Sequence, residues 1–260
     1  MTRAAGAPVN AGESILLTPP GYLQRATLPL PGLALLLPMV VMYEVGTRYL
    51  TTAARHGQDQ QIIAFSKMQD FFHLFGASGR HLPALAVIAS LLAWHIARND
   101  KWRVELSTVV GMAVESVVLS LPVLLLGFLI NRYFALAATS SPPTSALTAV
   151  SDGVRDRLIM DLGAGVYEEF VFRLVLFALF SLVLKDLLKL HNGLVYLLMV
   201  VLSGILFSAY HYWNPAEQWA WRIFAFRAMA GAYFGIIFLF RGFGVTAASH
   251  AFYDIIITLL

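Results

Sequence analysis

The chain has 260 residues, no cysteine and a formal net charge of +3 at pH 7. Hydrophobic residues make up 58% and charged residues only 13%, about half the charged share of a soluble domain, so lipid rather than water must bathe most of the surface. These values exclude a disulfide framework, a thiolate metal site and a cysteine nucleophile. The mild positive charge fits basic loops of a membrane protein and gives no sign of nucleic-acid binding.

Residues 1–27 read as a polar N-terminal tail. Met1 to Ala26 is rich in Gly, Pro, Ala and Thr, lacks the apolar core and cleavage site of a secretory signal, and is expected to be mobile. Residues 28–150 carry the N-terminal membrane helices. Spans of about twenty residues are expected near Leu28–Val45, Leu82–Ala97 and Val109–Ile130. Pro38 and Pro122 fall inside such segments, where membrane helices tolerate them. In Gln60–Phe75, Ile62, Phe65, Met68, Phe72 and Phe75 recur at helical spacing. This predicts a helix that either lies in the interface plane or packs on the bundle. Ala138–Ala149, rich in Ser, Thr and Pro, reads as a loop.

Residues 151–260 hold four further expected spans, near Leu158–Leu184, Gly193–Tyr210, Ile223–Phe240 and Val245–Leu260. The fold class is therefore all-α, a polytopic bundle of about seven spans. Trp213, Trp219 and Trp221 follow the fifth span, where an aromatic belt is expected. Arg98, Lys101, Arg103, Lys185 and Lys189 favour a cytoplasmic N-terminus, but Arg48, Arg55, Lys67 and Arg80 on the other side nearly cancel that signal. No internal repeat is evident.

An ionisable side chain in hydrocarbon is costly and asks for a reason. Glu168, Glu169 and Arg173 lie inside the fourth span. Glu169 and Arg173 are four apart on one face and can pair, whereas Glu168 lies about 100° around the helix and needs another partner or water. Phe207 and His211 share a face at the end of the fifth span, which Pro215 closes. In the seventh span His250 and Asp254 are four apart, so Asp254 can orient the imidazole, accept its proton or share a ligand. Taken singly, each group has a structural explanation: an ion pair tying helices, an interfacial histidine, a hydrogen bond within the bundle. Together, three helices that turn such groups inward bring Glu168, Glu169, His211, His250 and Asp254 around one point. This is the chemistry of water activation.

The three segments resemble the CAAX protease and bacteriocin-processing family of intramembrane peptidases (CPBP, also called Abi), which includes the type II CAAX prenyl endopeptidases. Its pattern of E-E-x-x-x-R, F-x-x-x-H and H-x-x-x-N or -D is matched by Glu168, Glu169 and Arg173, by Phe207 and His211, and by His250 and Asp254. The resemblance implies peptide-bond hydrolysis at the membrane, with Glu168 as general base on water and His211 as its partner there. His250 and Asp254 would complete the site, with Glu169 and Arg173 holding its shape. No cofactor is certain. A divalent metal such as Zn²⁺ on Glu168, His211 and His250 is chemically adequate, although the H-E-x-x-H motif is absent. An ionised Asp254 can only accept hydrogen bonds, so it suits orientation of His250 or metal binding better than contact with an oxyanion.

Partners implied are membrane lipid and a peptide or protein with a membrane-associated segment, possible substrates being prenylated CAAX tails, bacteriocin leaders or C-terminal sorting tails. The default location is a bacterial inner membrane. A transporter built on buried Glu, Arg and His and a non-catalytic scaffold or immunity protein are the rival classes. Ser208 and Ser249 neighbour the histidines but lack the sharp turn of an activated nucleophile. His56, His73, His81, His95 and His191 are expected at interfaces, and Glu44 and Glu115 either pair within the bundle or reach the cavity.

Overall fold

A computed structural model describes residues 21–53, 62–137, 152–213 and 217–260. The first twenty residues of the expected tail, Arg55, His56, the Ala138–Ala149 loop and Pro215 lie outside the described residues. Every described element is helical: α1 Tyr22–Ala26, α2 Pro29–Ala53, α3 Ile63–Leu74, α4 Leu82–Arg98, α5 Leu106–Ala137, α6 Asp152–Glu169, α7 Leu176–Phe180, α8 Asn192–Tyr210 and α9 Trp221–Leu259. The protein is an all-α integral membrane bundle. Stretches of α2, α5, α8 and α9 are long and apolar enough to cross a membrane, and α4 is a shorter apolar helix.

The sixth and seventh expected spans are both in α9, which breaks at Gly242 (φ 75°, ψ −179°). The Phe234 and His250 rings stack at 4.8 Å, and Phe226 meets Tyr253 at 6.3 Å. Sixteen residues of straight helix would separate Phe234 and His250 by about 24 Å, so α9 is a hairpin with arms 221–241 and 243–259. Gly242 supplies the positive φ this turn needs. A Cβ there would also meet the Thr27 carbonyl oxygen at 3.1 Å.

The fourth expected span is not one regular helix. After α6 the chain widens into π-helical turns at Phe170–Val175 and Ser181–Leu187, on either side of α7. Two expectations need correction. Residues 22–26 are not a mobile tail, because α1 docks through Ala26, which is buried, and through the Tyr22 hydroxyl, which donates to Glu115 at 2.5 Å. His95 is not interfacial but 1% exposed, with Trp102 edge-on at 4.4 Å. The apolar wall of α4 draws it inward, since Val87, Leu91 and His95 share one helical stripe.

Of the two options for residues 60–75, the structure favours packing at one end. α3 begins at Ile63, and Phe65 packs on Tyr43 and Tyr167 at 5.3 and 5.0 Å. Its far end leaves Phe71, Leu74 and Phe75 exposed. Glu44 and Glu115 are bundle partners. Glu44 takes His81 Nδ1 at 2.5 Å and the Tyr167 hydroxyl at 3.2 Å.

Candidate active site

The site begins with a glycine. A Cβ on Gly165 would lie 2.5 Å from the Ala251 nitrogen and 2.7 Å from the Ala247 oxygen. Only glycine lets α6 touch the backbone of the second α9 arm at this depth, the small-residue contact by which membrane helices approach closely. Residues three and four further on share that face, so Glu168 and Glu169 are carried against His250. The regular helix ends at Glu169 and the first π-helical turn follows, a distortion found often at functional sites.

His250 is held from both sides. Its Nδ1 lies 2.8 Å from Glu169 Oε1, and its Nε2 lies 3.3 Å from Asp254 Oδ2 and 3.9 Å from Glu168 Oε2. Phe234 stacks on one ring face, and the Phe207 ring lies 5.7 Å away. Glu169 Oε2 is 2.9 Å from Arg173 Nε, and both residues are fully buried. The contact is an ion pair by distance but not an aligned hydrogen bond, since neither atom counts as hydrogen-bonded. Arg173 also donates through Nη2 to the Gly231 carbonyl at 2.8 Å and lies over the Phe207 ring at 5.0 Å. Arg173, Glu169 and His250 thus form a line from the first α9 arm, through the π-helical turn, to the second arm.

Glu168 reaches a second helix with its other oxygen, as its angular offset from Glu169 predicts. Its Oε1 accepts from the Tyr210 hydroxyl. Tyr210 had no role in the sequence reading. The available signal was a phenol one residue before His211 in an apolar helix, because a buried tyrosine needs a partner for its hydroxyl. His211 opens the short turn His211–Trp213 at the end of α8. Its Nδ1 meets the Phe207 carbonyl at 2.8 Å, and its ring lies 4.5 Å from Tyr210 and 5.0 Å from Phe207. A carbonyl can only accept, so Nδ1 carries a proton, and in the neutral ring Nε2 is the acceptor nitrogen.

The arrangement therefore brings Glu168, Glu169, Arg173, His250 and Asp254 together directly. His211 is joined to them through the rings of Tyr210 and Phe207. Ser208 and Ser249 donate to the carbonyls of Phe224 and Val245 at 2.8 and 2.7 Å, so their hydroxyl protons are spent on backbone oxygens rather than on a histidine base. Among the described residues no three His, Asp or Glu side chains are grouped to hold a metal. Carboxylates occupy both sides of His250, and His211 Nδ1 is engaged by a carbonyl.

Residues 154–256 match the family model described as type II CAAX prenyl endopeptidase Rce1-like. The match contains all three motif-bearing segments and bears out the resemblance read from them. At family level it supports a CAAX-type intramembrane endopeptidase. No curated protein and no solved structure matches the chain.

Proposed function

We propose, from a C-terminal segment that belongs with the Rce1-like endopeptidases, that this protein hydrolyses a peptide bond near the C-terminus of a lipid-modified substrate, with Glu168 as general base on water. One observation carries the reading. Of the three carboxylates around His250, Glu168 is buried, yet keeps an oxygen without a close partner. Oε1 is taken by Tyr210, while Oε2 stands 3.9 Å from His250 Nε2, beyond hydrogen-bond length. That oxygen is free to accept a proton from water. Glu169, engaged by His250 and Arg173, is not.

In this reading His211 accepts a hydrogen bond from the same water through Nε2, and the proton that Glu168 takes from that water passes to the leaving amine. Asp254 and Glu169 fix the His250 ring, and Arg173 holds Glu169 in place. A groove of about 290 Å³ on the flank of the site supports this substrate class; it is lined by Ala64, Lys67, Phe172, Leu179, Tyr210 and Trp213. Its walls are almost wholly apolar, and Tyr210 is common to the groove and to Glu168. An isoprenyl or acyl chain lying there would deliver its attached peptide to the base.

The test is release of the C-terminal tripeptide from a farnesylated peptide by the purified full chain. Glu168→Gln keeps the shape and the Tyr210 contact but removes the base. Cleavage is expected to fall about 10²–10⁴-fold, with unfolding temperature and peptide binding retained. Undiminished cleavage by the variant, or equal cleavage of the peptide without its prenyl group, overturns the mechanism or the substrate class respectively.

A further inference from the structure

A second cavity, of about 450 Å³, lies at the opposite ends of the helices from His211. Its lining includes Arg25, Lys101, Arg103, Glu105, Thr108 and, on its apolar side, Leu28. It sits where the apolar stretches Pro29–Tyr49 and Leu106–Arg132 begin and where α4 ends. Its carboxylates already have cations: Glu105 pairs with Arg25 at 3.0 Å, and Asp100 with Arg98 at 2.7 Å. Lys101 and Arg103 have no ion-pair partner among the described residues, so the cavity keeps a surplus of positive charge.

Two donors inside it are also unanswered. The Thr108 hydroxyl is on a residue 1% exposed and has no hydrogen-bond partner, and Arg25 Nε is buried without one. Such groups cost free energy unless something accepts from them. Thr108 stands in the first turn of α5, where leading amides lack intrahelical acceptors and the helix dipole favours an anion. Cations, orphaned donors and a helix start together ask for a phosphate. Trp102, Val104 and Leu106, exposed beside the cavity, supply an apolar flank suited to acyl chains and an aromatic anchor at headgroup depth.

We infer that the cavity between α1, the α4–α5 loop and the start of α5 is a binding site for the headgroup of an anionic phospholipid. Phosphate oxygens are received by Lys101, Arg103, Thr108 Oγ1 and Arg25 Nε, and the acyl chains lie along Trp102 and Leu106. The site is far along the helices from Glu168 and stands whether or not the peptidase reading does.

The test uses the full chain in phosphatidylcholine nanodiscs doped with phosphatidylglycerol, reading lipid retention and unfolding temperature. Phosphatidylglycerol should be enriched on the wild type and raise its unfolding temperature. Lys101→Gln with Arg103→Gln should weaken this by about fivefold per lost cation, and Thr108→Val should weaken it alone without altering charge. Lys185→Gln with Lys189→Gln, a basic pair outside the cavity, should leave it unchanged. Equal losses in both double variants would show a diffuse charge effect and overturn the site. A response reproduced by inorganic phosphate, or by phosphatidylcholine alone, would overturn the anionic-lipid assignment.

Discussion

Two clusters in this bundle are built from the same three residue types. At the α9 turn, Arg241 pairs with both oxygens of Glu115, and Tyr22 donates to Glu115 Oε2 at 2.5 Å. Arg241 also donates to the Leu23 carbonyl at 3.1 Å and lies over the Tyr22 ring. At the candidate active site, Arg173 pairs with Glu169, donates to a carbonyl and lies over a ring, while Tyr210 donates to a glutamate. In the first cluster one carboxylate meets one cation and nothing is left over. Burial, and then the Glu115 carboxylate, push the Tyr22 phenol up to about 12, so it remains a donor at any working pH. In the second, Glu168, Glu169 and Asp254 surround one arginine and one imidazole in a more deeply buried setting. The first is a clip that fastens α1 to the hairpin. The second holds an excess of carboxylate that a clip does not need, and that excess is what chemistry can use.

The comparison is broken most directly at Arg173. Arg173→Met would leave Glu169 buried without a cation, which typically costs about 3–5 kcal/mol. A large fall in the unfolding midpoint is expected, together with loss of cleavage. Adding Glu169→Gln to the same chain removes the stranded charge and should restore most of the stability. A single variant as stable as the wild type would mean that the pair does not hold the site. A smaller effect should come from Tyr210→Phe. A hydrogen bond to a charged group contributes about 1.5–3 kcal/mol, so a fall of several degrees in unfolding temperature is expected, together with a roughly 10–100-fold loss of turnover. If KM rises while kcat stays, Tyr210 serves the groove and not Glu168.

The contrast also shows what the sequence can carry. Glu169 and Arg173 were readable as a pair because both lie on one helix, where spacing fixes the face. His250 and Asp254 were readable for the same reason. That Glu168 needs a partner beyond Arg173 was legible too, from the 100° step. The identity of that partner was not, because Tyr210 comes from another helix and its approach depends on how α8 crosses α6. The same holds for Glu115 and Arg241, which are 126 positions apart. The apolar helices α2, α4, α5, α8 and α9 were legible from hydropathy, whereas the short α1 was not. The π-helical turns and the fold-back at Gly242 were not. A glycine in an apolar run is compatible with a straight helix, and the positive φ appears only once Thr27 and the two arms compete for the space. His95 lies near a span end, which suggests an interface, but its place on the Val87–Leu91 stripe of α4 buries it.

The mildest test sharpens the other side of the comparison. Arg241→Gln removes the cation from Glu115, whose side chain is 21% exposed. The carboxylate left behind can reach water and keeps its bond from Tyr22, so it is not stranded as Glu169 would be. Partly exposed pairs contribute roughly 0–1 kcal/mol, and the lost contacts to Leu23 and the Tyr22 ring add to that. A small fall in unfolding temperature is expected, with cleavage of the farnesylated peptide unchanged. Limited proteolysis gives the readout specific to a clip: faster cutting around residues 22–28 in the variant. If cleavage of the substrate fell as steeply as in Tyr210→Phe, the two clusters would be coupled through α9. The Gly242 turn would then belong to the active machinery rather than to its scaffold.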